Sequence, residues 1–170
     1  LGGDVNDIHP FDELGDGSDL NQLWVQYKHD EYGSGKFGRQ VYTLDDHRFI
    51  GHVGWRQNIQ TFDAVTATLT PVKGLKVNPF CLDQVNNVKG DEVELDAKGI
   101  NVSYKFAKSL TLTGFVYDIE SDEAAAIGNR TVGLRATGSY PVSDDVTLKY
   151  AFSYADQEDA GDAAEFDASY

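Results

Sequence analysis

Between Leu44 and Asn58 the chain gathers Asp45, Asp46, His47, Arg48, His52, Trp55 and Arg56. Arginine presents a planar fork that matches a carboxylate. These guanidinium groups therefore suit pairing with the neighbouring aspartates, or with an acidic solute. The His and Asp side chains also admit a metal, since imidazole nitrogen binds transition metals. Their spacing fits no ligand pattern, so none is expected. The segment reads as a binding or constricting loop held by Arg–Asp pairs, with Arg48 and Arg56 as candidate solute contacts.

A second set of charges lies on strands. Lys28, Lys76, Lys105, Arg135 and Lys149 each fall on the polar phase of an alternating segment, and Arg39 joins them as a candidate. The acids gather in connections instead: Asp91, Glu92 and Glu94; Glu120, Asp122 and Glu123; Asp156, Glu158 and Asp159. If the polar phase faces a water-filled lumen, that lumen is lined with cations, and rings of Lys and Arg favour anions. The alternative is an ordinary half-exposed sheet with a solvated polar face.

Period-two alternation defines the elements that carry these residues. The spacing predicts strands over 21–30, 36–44, 60–70, from 75, and over 99–106, 110–117, 130–140 and 146–154, with another beginning at 166. Pro79 cannot donate to a ladder and is expected at a bulge, an edge or a strand end. The apolar phase slips at Gly114, which predicts a bulge there. Connections alternate: short at 31–35, 71–74, 107–109 and 141–145, long at 44–58, 85–97, 118–129 and 156–163. In an up-and-down sheet this places short turns on one rim and long loops on the other, as in outer-membrane barrels. Phe106 and Tyr140 before short turns and Tyr154 before a long loop suggest aromatic girdles at both interfaces.

Bulk properties agree. The chain has 170 residues, a net charge of −14 and a pI near 4.4, which argues against nucleic acid as a partner. A mean hydropathy of −0.41 leaves no apolar run long enough for a spanning helix. It leaves a transmembrane barrel open, because lipid-facing and lumen-facing residues alternate. Cys81 is the single cysteine, so no internal disulfide forms; it reads as a small buried filler. Asp12, Asp16 and Asp19 near the start miss the spacing of an EF-hand loop. There is no G-x-S-x-G or HExxH, so neither catalysis nor a cofactor is expected.

Gly38-Arg39-Gln40, Leu44-Asp45-Asp46-His47-Arg48-Phe49-Ile50-Gly51 and Gly54-Trp55-Arg56-Gln57-Asn58 leading to Thr61-Phe62-Asp63-Ala64 form a distinctive block. Asp83-Gln84-Val85-Asn86-Asn87, Thr131-Val132-Gly133-Leu134-Arg135 and Ala164-Glu165-Phe166-Asp167-Ala168 follow in order. Together these resemble the alginate-export-type, porin-like outer-membrane proteins of Gram-negative bacteria. The resemblance implies a monomeric all-β barrel in outer-membrane lipid, passing small polar or anionic solutes, acidic sugars among them. The chain is expected to be one barrel domain over 1–170, incomplete at both ends. Two rival readings stand beside it: a secreted or periplasmic β-sandwich binding carbohydrate through Trp24, Trp55 and its tyrosines, and a calcium-binding surface protein.

Overall fold

The computed structural model describes residues 20–54, 59–121, 128–160 and 167–169. Its regular structure there is all strand. These are β1 (Leu23–His29), β2 (Gly33–Gln40), β3 (Thr61–Leu69), β4 (Leu75–Asn86), β5 (Glu92–Ala107), β6 (Leu110–Glu120), β7 (Asn129–Pro141), β8 (Thr147–Asp159) and β9 (Asp167–Ser169). Every neighbouring pair is antiparallel, and spatial order follows chain order from β1 to β9 in one continuous sheet. This up-and-down arrangement is that of a barrel wall, not of two sheets packed face to face. Among the described residues the sheet is open, with β1 and β9 at its edges.

The register sorts side chains into two faces, because partners across a ladder point the same way and successive residues alternate. Lys36, Thr66, Phe80, Gly99, Tyr117 and Thr131 stand in one cross-strand row. Their face is the one the 41–54 segment covers, and it is called inner here. The buried apolar cluster lies on it: Leu44 and Ile50 from the segment meet Phe62, Ala64, Phe80, Leu82, Ala97, Phe115, Tyr117 and Ala155 from the strands. The opposite face carries Ile100, Tyr104, Phe106, Val132, Leu134, Leu148 and Phe152, all exposed. Leu134 keeps 67% and Phe152 71% of its surface open, beyond what isolated surface hydrophobics explain. An apolar outer band opposite a polar-lined inner face suits a wall set in lipid.

Several local expectations change. The stretch 85–97 is mostly strand: β4 and β5 extend through it and leave a tight turn at 87–91. Asn87 closes that turn, its side-chain oxygen accepting from the amides of Lys89 (2.8 Å) and Asp91 (3.1 Å), while Gly90 takes φ +88°. Gly114 lies in unbroken register with Val102 and Leu134, so it is no bulge. The register shifts instead at Asp83 in β4 and at Phe106 in β5. Pro79 sits inside β4 opposite Ile100, and on its other side the ladder to β3 is interrupted between Thr66↔Phe80 and Leu69↔Val77. The missing N–H is thus accommodated by a gap on one side of a central strand. Tyr154 is mid-strand, because β8 continues to Asp159. Outward rings therefore gather toward the short-turn rim, where Tyr104 and Phe106 meet edge to face at 4.6 Å. Cys81 is exposed on the outer face and is not buried filler.

Candidate functional site: a loop tethered to the inner face

The connection from β2 to β3, residues 41–60, is the feature on which the inner face is organised. Its first part folds back over β4–β7. A backbone bond from the amide of Leu44 to the carbonyl of Ile50 (3.1 Å) closes a compact loop, and His47 N–H donates to Leu44 O at 2.9 Å. Asp45 and His47 take φ of 50° and 63°, the left-handed region where short polar residues and histidine are the usual non-glycine occupants. Those two turns swing Asp45 and Asp46 toward the sheet.

Three kinds of contact hold the loop down. The first is apolar. Phe49 lies 5.5 Å from the ring of Phe115 and 6.2 Å from that of Tyr117, and those two rings stack on one another at 4.9 Å. Glycines make room for this floor. A Cβ on Gly133 would come within 2.3 Å of Phe115, and one on Gly99 within 2.5 Å of Phe80. Each ring thus occupies the space that a glycine of the next strand leaves open.

The second contact is ionic: Arg135 on β7 donates to Asp46 and also to Ser153 Oγ at 3.0 Å. The third is a hydrogen-bond network centred on the Asn101 amide. Asn101 Nδ2 donates to Asp45 Oδ2 at 2.7 Å and to Tyr117 Oη at 2.9 Å. Behind it, Thr68 donates to Asn78 at 3.0 Å and the Asn78 amide reaches Asn101 at 3.5 Å.

The two aspartates differ in charge preference. Burial raises the pKa of Asp45 above its ordinary value, against the Asn101 hydrogen bond and the positive field of Arg135. Burial acts on Asp46 in the same sense, but the hydrogen bond and charge of Arg135 outweigh it and hold that carboxyl below the ordinary range.

The sequence-derived candidates fall into three groups. Lys28, Lys76, Lys105, Arg135 and Lys149 all stand on the inner phase. Arg48 is on the loop, where it lines a small cleft with Asp45, Asp46, Phe115, Arg135 and Ser153. Arg56, like Trp55 and the early aspartates, lies outside the described residues. Arg39 belongs elsewhere. It stands on the outer face, donating to both carboxylate oxygens of Asp63 (2.9 Å each) and to Glu92 at 2.9 Å. It is a rim staple joining β2, β3 and the start of β5. The odd–even phase of β2 explains this: Lys36, Gly38 and Gln40 face inward, so Arg39 cannot. Asn101, Phe115 and Tyr117 escaped sequence reading as parts of the site. The phase slip at Gly114 is no bulge but the loop's footprint: Leu112 faces outward, and Phe115 and Tyr117 face inward beneath the loop. Among the described residues no cluster of His, Cys, Asp and Glu suits a metal ion.

The family model for alginate export matches residues 7–164. This chain belongs to the alginate export family. Solved structures share its fold: OpdL of Pseudomonas aeruginosa (TM-score 0.66, 16% identity, 81% of this chain and 38% of that one) and the outer membrane protein OpdK of the same organism (0.67, 18%, 81% and 39%). A BenF-like porin of Pseudomonas fluorescens is equally similar (0.66, 15%, 81% and 36%). The chain spans about 38% of OpdL's length. A comparison with curated protein sequences gave no match. The chain is a porin-like β-barrel protein of the Gram-negative outer membrane, and the sandwich reading is set aside by its single continuous sheet.

Proposed function

We propose that this alginate export family member forms part of a monomeric diffusion channel for small polar and anionic solutes, acidic sugars included, and that it catalyses no reaction. One observation carries the reading. Ile100, Tyr104, Val132, Leu134, Leu148 and Phe152 of β5, β7 and β8 project to the outer face, while Lys28, Lys76, Lys105, Arg135 and Lys149 project to the face under the loop. An ammonium group alone in an apolar medium is prohibitively costly. The same lysines therefore argue for a wet lumen and for its positive sign, with lipid on the other side. The tethered loop narrows the passage and presents Arg48 to it; Arg56 is proposed to act alongside. Acidic groups on the long-loop rim oppose anions at the entrance, but screening over about 8 Å at physiological salt confines them there. The structure of OpdK with vanillate, a carboxylate, supports an anionic cargo by analogy.

The test is the reversal potential in a planar bilayer under a salt gradient, for the intact protein and for Arg48→Glu with Arg56→Glu. Anion preference that falls or inverts on charge reversal is expected. Cation preference in the intact pore would overturn the assignment.

A further inference from the structure

The outer face of β4–β6 has two ends of opposite character. Toward the long-loop rim its outward phase carries Glu92, Glu94, Asp96, Asp118 and Glu120 against a single cation, Lys98. Toward the short turns the acids vanish. Residues 64–82 and 99–117, which make the two hairpin ends there, hold Lys73, Lys76, Lys105 and Lys108 and neither Asp nor Glu, in a chain of net charge −14. The other two short turns differ, with Asp30 and Glu31 in one and Asp144 and Asp145 in the other.

Two of the four lysines, Lys76 and Lys105, stand on the inner phase. Lys73 and Lys108 occupy the turns themselves, and both are exposed. Backbone bonds fix where those turns lie. Leu75 N–H donates to the Val72 carbonyl (3.1 Å), Lys105 N–H to that of Gly74 (2.8 Å) and Ser139 N–H to that of Lys108 (3.2 Å). Among the described residues neither turn ammonium has a carboxylate within ion-pair distance. Beside them on the outer face the Tyr104 and Phe106 rings meet at 4.6 Å, and Val72, next to Lys73, keeps 57% of its surface open. Rings and a bare valine alongside lysines suit the boundary between hydrocarbon and headgroups.

We infer that the short-turn rim of β4–β6 binds a phospholipid with a net negative headgroup. Its acyl chains lie along the outer band, Tyr104 and Phe106 sit at headgroup level, and Lys73 and Lys108 take the phosphate. Charge complementarity commits the surface to that occupant. A zwitterionic headgroup brings its own cation and gains little from two ammonium groups, and the acid-rich end of the same strands repels anions. The net charge of the chain alone predicts that an anionic lipid is avoided, so a preference for one must come from these lysines. Each lysine near an anionic membrane surface is worth roughly a fivefold change in affinity, so the pair gives about twentyfold. The inference rests on the channel reading only in setting this face against lipid.

Native mass spectrometry of the intact protein released from detergent micelles reads its apparent affinity for phosphatidylglycerol and for phosphatidylcholine with the same acyl chains. A preference of about twentyfold for the anionic lipid is expected. It should fall to near parity in Lys73→Gln with Lys108→Gln and return in Lys73→Arg with Lys108→Arg. Lys89→Gln, which removes an exposed lysine from the turn at the other rim, should leave it unchanged. Soluble glycerol phosphate carries the headgroup anion without chains and should not compete at the lipid's own concentration. Competition by it would place the anion on Lys76 and Lys105 inside the passage and overturn the lipid assignment. Equal affinity for the two lipids, or a preference that survives the double glutamine variant, would overturn it too. Each of these leaves the channel assignment standing. Cation preference in the pore with the lipid preference intact would sink the channel assignment and keep the lipid surface.

Discussion

The two faces of β5–β7 are made by the same strands in the same register, yet they solve opposite problems. On the inner face, Phe115 and Tyr117 are buried and Asn101 is satisfied, because a loop from elsewhere in the chain covers them. On the outer face, Ile100, Val132 and Leu134 are bare, with none of the described residues covering them. A soluble sheet would put its apolar residues on the covered face and polar ones on the other. Here the covered face is a mixture of rings, amides and cations, and the uncovered one is apolar. Partner, not polarity alone, sets the pattern: a folded-in loop covers one side, and the other is a bare apolar band of the kind that hydrocarbon would cover.

The severest way to break this contrast is to remove the floor under the loop. Phe115 is 5% exposed and contacts both Phe49 and Tyr117. Phe115→Ala is expected to cost about 3–5 kcal/mol by cavity formation. Denaturant titration in detergent, read by the gel-mobility shift of folded barrels, measures it. Phe152→Ala, a ring of equal size on the outer face, is the matched control and should cost a small fraction of that. Equal losses would mean that the outer face is packed against protein.

Somewhat smaller is the cost of charge in the outer band. Leu134 faces outward near the middle of β7, so Leu134→Arg should destabilise the lipid-embedded protein by about 2–4 kcal/mol. Ala151, exposed on the inner face two residues from Lys149, offers the comparison, since a cation there joins others in water. Refolding yields into lipid vesicles for Leu134→Arg and Ala151→Arg should separate the two clearly. If Leu134→Arg refolds as well as its inner-face counterpart, the outer band is not in hydrocarbon.

How far the chain announces this contrast depends on the element. Ile100, Val102, Tyr104 and Phe106 alternate with polar residues over a long enough run that strand, phase and outward direction are all legible. The Val93-Glu94-Leu95-Asp96-Ala97 run alternates as well, but its acids read as loop. In a barrel that projects beyond the bilayer, charged outward positions are normal strand residues. Phe115 and Tyr117 could not be placed, because the residues that cover them lie at 44–50, far away in sequence. Local periodicity carries no information about a loop that returns from outside the strand. Arg39, by contrast, is legible locally: it alternates with Lys36, Gly38 and Gln40, so the phase of β2 turns it outward.

The tether itself gives the third prediction, of intermediate size and with a pH signature. Asp46→Asn removes the ionic partner of Arg135 and should loosen the loop by about 1–3 kcal/mol. The sign follows from the two carboxyls. Asp46 has a lowered pKa, so its stabilisation is complete above the ordinary value of 3.8 and is lost as pH falls through the lower folded value. Asp45 has a raised pKa, so its ionisation disfavours the folded loop, and acidification from neutrality relieves this first. Loop protection from protease should therefore hold or improve slightly on mild acidification and fail only below about pH 4. In Asp46→Asn the low-pH failure should disappear and protection should be uniformly weaker. Loosening that begins near neutrality would show that neither carboxyl controls the loop.

The smallest effect is expected at Arg39, and it sharpens the contrast most cleanly because Arg39 and Arg135 are both paired arginines on strands. Arg39 bridges Asp63 and Glu92, whose side chains are 31% and 57% exposed, so water and salt screen the pair. Exposed pairs contribute up to about 1 kcal/mol, and the two-pronged contact to Asp63 places this one at the upper end. Arg39→Gln should lower stability by that amount, with the loss shrinking in high salt. Its charge lies on the outer face of the rim, with the strand between it and the passage. Arg39→Gln should therefore leave the reversal potential where it was. Arg135→Gln, on the inner phase one strand from Lys149, should shift it toward cations, because a positive charge leaves the lining and Asp46 loses its counter-ion. Paired bilayer recordings of the two variants decide the matter. If Arg39→Gln moves the reversal potential as far as Arg135→Gln does, the division of this sheet into a lipid face and a solute face is wrong at the rim.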